Sequence, residues 1–139
     1  MATTFTKYTH THRRFADGTM DWDTDTFKLA LVTSSYTFSA AHTQWADASA
    51  AEVATGDGYT TGGASLTNSL DDTKLDAADV TWTALDKTFR GAVLYCSKTA
   101  NGLTNPLVGY ILFDDTPADV VSPGVDFTVI WNASGVFTL

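Results

Sequence analysis

One cysteine, Cys96, is all the thiol the chain carries, so no intrachain disulfide can staple it and the fold must stand on packing alone. That fits synthesis in a reducing cytosol. Glutamate is nearly missing, Glu52 being the only one, while 24 positions are threonine, whose branched side chain suits the exposed face of a sheet. Helix should therefore be scarce. No stretch approaches the ~18 apolar residues of a membrane span, and the N-terminus lacks the apolar core of a signal peptide, so neither a membrane partner nor export by the usual route is expected. Basic charge is short as well: 8 Lys and Arg against 16 Asp and Glu leave a net charge of -8. That balance argues against a nucleic-acid partner, because such binders spend Lys and Arg on phosphates.

The charge that is present is unevenly placed. Lys7, Arg13 and Arg14 give the first 16 residues +3, and the remainder carries 5 basic against 16 acidic residues, or -11. Residues 1–18 read as a basic N-terminal arm on an acidic body, residues 19–139, within one domain spanning 1–139. The arm could be a short helix from Thr3 to Asp17 stopped by Gly18, or a strand, since its threonines are poor helix formers.

Strand candidates follow at Thr26 to Thr33, Ala64 to Leu70, Val80 to Ala84, Gly91 to Ser97, Leu107 to Phe113, Phe127 to Trp131 and Val136 to Leu139. This is the pattern of a mainly β chain, an antiparallel sandwich or barrel of seven to eight strands with a long loop after the first core strand. In that loop Ser49 to Glu52 reads as a capping box that would start a turn or two of helix. GAVLYC and PLVGYILF are apolar on both faces and belong in the middle of the fold. Phe27, Leu29, Leu31, Val80, Trp82, Val93, Tyr95, Ile111, Phe113, Phe127, Val129 and Trp131 are expected to face one shared core.

Several groups invite a chemical reading. In DWDTDTFKLALVTSSYT the carboxylates of Asp21, Asp23 and Asp25 alternate as in a calcium loop, but Thr26 and Val32 stand where such a loop needs glycine and a closing glutamate. The stretch reads instead as a solvated acidic, extended lead-in to a strand. His10 and His12, with His42 as a third, would suit a metal only if the first two shared a strand face, and they read as surface residues. GDGYTTGG has neither a P-loop ending nor a dinucleotide spacing and reads as a flexible connection. Asp71, Asp72, Asp76 and Asp79 read as a solvated hairpin, and Cys96, inside an apolar strand, as a small buried hydrophobe. No G-x-S-x-G turn supplies a nucleophile. Catalytic, cofactor-binding and metal-ligating residues are thus all expected to be none. Trp22 reads as core, whereas Tyr36, Trp45 and Tyr59 lie in polar segments and are candidate partner contacts together with Lys7, Arg13 and Arg14.

The phrases DWDTDTFKLALVTSSYT, SAAEV, GYTTGGASLT, ADVTW, RGAVLY, PLVGYILFD and DFTVIWNASGV, in that order, resemble small proteins encoded among the structural genes of tailed bacteriophages and prophages. The resemblance implies a non-enzymatic virion component present in many copies, made in the bacterial cytoplasm. Its first implied role is a decoration or cement protein, perched as a trimer or other oligomer on the major capsid protein. A tail or neck component, such as tube, terminator or fibre attachment, is the alternative. Outside that class, a carbohydrate-binding module would use exposed Trp22, Trp45 and Tyr59 as a stacking platform.

Overall fold

The computed structural model describes residues 3–71, 74–116, 118–132 and 135–136. The chain is mainly β. Among the described residues the strands are β1 (Thr4–Lys7), β2 (Phe27–Val32), β3 (Ala64–Ser65), β4 (Asn68–Leu70), β5 (Leu75–Ala77), β6 (Val80–Phe89), β7 (Gly91–Cys96), β8 (Thr99–Ala100), β9 (Leu103–Thr104), β10 (Leu107–Leu112) and β11 (Val120–Val129), with one short helix, α1 (Thr11–Ala16). A five-stranded sheet runs in the order β1-β10-β7-β2-β3, every neighbouring pair antiparallel. The long strands β6 and β11 form a separate two-stranded ribbon, and β4 with β5 and β8 with β9 make small hairpins.

GAVLYC becomes β7 and is buried at every residue, because the five-stranded sheet is covered on both faces. Side chains alternate along a strand, so each central strand feeds two cores. Leu29, Leu31, Leu94, Cys96 and Ile111 meet Val80, Trp82, Leu85, Phe89 and Val129 of the ribbon, in a sandwich-like first core. On the other face Ala30, Val32, Val93, Tyr95 and Tyr110 meet Tyr8, Tyr36, Trp45, Ala48 and Ala51, the last four coming from the excursion after β2. Val93 and Tyr95 therefore belong to the second core rather than to a single shared one. Phe127 and Trp131 pack only partly buried at the margin of the first.

Other expectations need correction. The N-terminal segment is neither one helix nor a free arm: Thr4 to Lys7 pair with Leu112 to Gly109 at the sheet edge, and only Thr11 to Ala16 are helical. The threonines at alternate positions suit the strand face, which explains the split. Ala64 to Leu70 divides into β3, on the sheet, and β4, in a hairpin. The strands starting at Val80 and ending at Val129 are longer than expected, at 10 residues each. Of the expected strand from Val136 to Leu139, Val136 is buried and its N–H donates to the Leu75 carbonyl at 2.7 Å, while 137–139 lie outside the described residues. Ser49 is not a cap but the first residue of a 3₁₀ turn, Ser49–Ala51; the capping box is formed by Gln44 and Asp47 around the preceding 3₁₀ turn, Trp45–Asp47.

The acidic stretch before β2 is a turn, not an extended lead-in. Asp25 Oδ2 accepts the Asp21 N–H at 2.8 Å and Asp21 Oδ1 accepts the Asp23 N–H at 2.9 Å. Carboxylates capping their own backbone in this way are ordinary turn chemistry. Asp25 Oδ2 also holds the Lys98 ammonium at 2.9 Å. Trp22, between these carboxylates, is buried as expected, and its indole N–H is shared by the Ser69 and Asp76 carbonyls at 2.9 and 3.0 Å.

Candidate functional site

After Val32 the chain leaves the sheet through a small-residue, polar run, TSSYTFSAAHTQWADASAAEV, which has too few apolar groups to fold by itself. Its aromatics pin it instead. Trp45 stacks on Tyr95 with ring centroids 4.9 Å apart and planes 9° apart, and Tyr36 meets Tyr110 edge-on at 5.4 Å. Both are buried, which removes them as exposed partner contacts. The same correction applies to Tyr59: its hydroxyl donates to Glu52 Oε2 at 2.7 Å and accepts the Leu31 N–H at 3.1 Å. Glu52 Oε2 also takes the Gly62 N–H at 2.7 Å, so GDGYTTGG is latched to the sheet edge by the chain's lone glutamate rather than left as a loose connection. With Trp22, Trp45 and Tyr59 all buried, the imagined sugar-stacking platform has no surface.

Backbone bonds then fix where the excursion meets the N-terminal segment. The Thr9 N–H donates to the Ala40 carbonyl at 2.9 Å, and Leu107 N–H to the Thr43 carbonyl at 3.0 Å. Asp47 takes the N–H groups of Thr43 and Gln44 at 3.0 and 3.2 Å, and these bonds hold its carboxyl below the usual carboxylate range. Between the two segments lies a notch of about 360 Å³, lined by His10, Arg13 and His42 together with Thr9, Ala40, Ala41 and Thr43.

The sequence candidates divide at this point. Arg13 is exposed, lines the notch and makes no ion pair among the described residues. Arg14 is turned to Asp17 at 3.1 Å, and Lys7 Nζ lies 2.7 Å from His12 Nε2. An ammonium only donates, so His12 accepts through that nitrogen. The three histidines are not a metal set: His12 is engaged with Lys7, His10 and His12 flank a helix start rather than sharing a strand face, and no group of three ligating side chains occurs among the described residues. His10 Nε2 donates to the Leu107 carbonyl at 2.9 Å, leaving a buried Nδ1 without a partner among the described residues. Burial lowers the His10 pKa and favours the neutral ring.

The sequence raises His42 only as a conceivable third metal ligand; in the structure its ring is held by two buried phenols. The Tyr8 and Tyr36 hydroxyls are 2.8 Å apart, and Tyr36 Oη lies 2.9 Å from His42 Nδ1. The Tyr8 hydroxyl has no other acceptor among the described residues, so it must donate to Tyr36, and Tyr36 in turn to Nδ1. The ring proton then sits on Nε2, and His42, which lines the notch, keeps that N–H as a donor. No single residue type in the sequence signals this relay, because its members lie 28 and 6 residues apart.

The remaining groups take structural parts. The Cys96 thiol, 3.7 Å from Asp25 Oδ2, is pushed up to about 12 by burial and by that carboxylate. Asp71 and Asp76 belong to the β4–β5 hairpin, where Asp71 Oδ1 accepts the Lys74 N–H at 3.1 Å and Asp76 pairs with Lys74 at 3.4 Å. Asp79 accepts the Trp131 N–H at 3.1 Å, and Asp72 lies outside the described residues. In comparisons with known proteins, no protein-family model, no curated protein and no solved structure matches this chain.

Proposed function

We propose that this chain is a non-enzymatic structural protein of a tailed-phage particle, with decoration of the outer capsid face as its first role and a tail or neck position as the alternative. The observation that carries the reading is the surface of β11. Val121, Val125 and Ile130 are 66, 54 and 75% exposed, on and just beyond a strand that pairs with β6 alone among the described residues. An open strand edge with apolar side chains beside it is a place where another chain packs, and monomeric proteins ordinarily blunt such edges. The resemblance of the ordered sequence phrases to phage structural proteins, an expectation from the sequence alone, supplies the setting.

The partners in this reading are the major capsid protein and further copies of the chain, or tail proteins in the alternative; the location is the virion, after synthesis in the host cytoplasm. The test is imaging of particles from the encoding phage, with a gold label on the chain's C-terminus, alongside mass spectrometry of the purified particles. Label spread over the head supports decoration, and label confined to tail or neck supports the alternative. Particles that contain none of the chain overturn the proposal.

A further inference from the structure

The notch at the N-terminal segment is unusual for this chain. The molecule carries 16 acidic against 8 basic residues, yet the described residues lining the notch include Arg13, His10 and His42 and no carboxylate. Two of the polar side chains lining it can donate: Arg13 carries a guanidinium, and the Tyr8–Tyr36 relay leaves His42 with its proton on Nε2, whereas His10 spends its own N–H on the Leu107 carbonyl. Other charged groups stand around it rather than in it. Arg14 and Asp17 act on His10 from α1, and Asp47 sits by His42, its carboxylate already occupied by two backbone N–H groups. A guanidinium and an imidazole N–H lining the same open cavity suit a carboxylate, which can accept from both.

We propose that the His10, Arg13 and His42 notch is the socket for an acidic side chain of a second copy of this chain. Charge complementarity selects the occupant. Beyond its first 16 residues each copy carries -11, so a neighbouring copy has carboxylates in excess to offer. Asp57, Asp86 and Asp126, all exposed, are grouped around a bulge in the ribbon, where Asp86 N–H bonds the Asp57 carbonyl at 2.9 Å and Asp126 Oδ1 holds the Ala84 N–H at 2.9 Å; Lys87 pairs with Asp57 at 3.9 Å and leaves Asp86 and Asp126 without an ion pair among the described residues. A socket on one face and an acidic patch on another give a heterologous contact, which propagates into rings or rows of subunits. The choice of occupant rests on the proposed structural role, but association in free solution is scored without any particle, so the two can fail separately.

The experiment is sedimentation velocity of the full chain at ~20 mM and ~500 mM NaCl, comparing wild type with Arg13→Glu and Arg13→Ala. Arg13 is exposed, so both variants should keep the wild-type circular dichroism spectrum. The expected result is self-association of the wild type at low salt that weakens with salt and is about tenfold or more weaker in Arg13→Glu. A long-range ¹H–¹⁵N spectrum of the imidazoles should show His42 protonated on Nε2, with acetate competing against association and shifting that signal. A wild type that stays monomeric at low salt, or an Arg13→Glu chain that associates as tightly, overturns the proposal. So does a monomer whose His42 signal responds to inorganic phosphate or acetate, since the notch would then hold a small free anion.

Discussion

At the residue scale, the isolated thiol and the two neighbouring arginines show how far type and position can differ from role. Cys96 reads correctly as inert because a run of apolar neighbours buries it whatever the topology. With its pKa pushed up to about 12 from an ordinary 9.0, its thiolate is about a thousandfold scarcer at neutral pH. Native protein mixed with a disulfide reagent at pH 8 should therefore react at least ~100-fold more slowly than protein in denaturant, and equal rates would remove the burial argument. Arg13 and Arg14 are equivalent in sequence, but Arg14 is spent on Asp17 and only Arg13 remains at the notch. Tyr36, Trp45 and Tyr59 mislead for a related reason. Their flanking residues are polar, and the apolar surface that buries each of them comes from strands far along the chain.

At the element scale, the β6–β11 ribbon depends on two irregularities. The pairing runs from Trp82 opposite Phe127 to Leu85 opposite Val125 and then to Asp86 opposite Pro123, so β6 gains a residue first and β11 gains Gly124 next. Gly124 takes its positive φ of 77° without penalty, but Ala84 sits at φ 50°, a strained conformation for a residue with a Cβ. Because the Ala84 side chain is exposed, Ala84→Gly loses no packing and should raise stability by about 0.5 to 1 kcal/mol in urea titration. Gly63 is the opposite case. It has a φ of +85°, and a Cβ there would stand 2.2 Å from the Leu29 carbonyl oxygen, where β3 joins β2. Gly63→Ala should therefore cost more than ~2 kcal/mol in the same titration. Trp82, packed between Tyr59 and Phe127, should cost about 3 to 5 kcal/mol when truncated to Ala. A midpoint unchanged by Trp82→Ala would show that the ribbon does not close the first core.

At the scale of the whole molecule, all five tyrosines of the chain, Tyr8, Tyr36, Tyr59, Tyr95 and Tyr110, have pKa values raised chiefly by burial. Tyr95, for instance, is pushed up to about 12. The sign follows from proton counting: above about pH 10 the unfolded chain gives up phenolic protons that the folded chain keeps. Stability is fully present below that pH and is lost as pH rises through the folded values. Absorbance at 295 nm should accordingly show the phenolates appearing together with loss of the near-ultraviolet circular dichroism signal. Tyrosines that titrate near pH 10 with the fold intact would contradict their burial. Four of the five, all but Tyr59, sit in the second core, which the sequence does not announce. What the sequence determined by itself was local. Alternation and threonine content set the β class, and the doubly apolar GAVLYC and PLVGYILF marked the central strands, because periodicity is a property of adjacent residues. Only the tertiary structure decided that the sheet is covered twice, that the basic segment is an edge strand with a short helix, and that Arg13 and His42 share a notch. Those facts depend on contacts between segments tens of residues apart, whose pairing is settled by which buried surfaces and hydrogen bonds can be satisfied together.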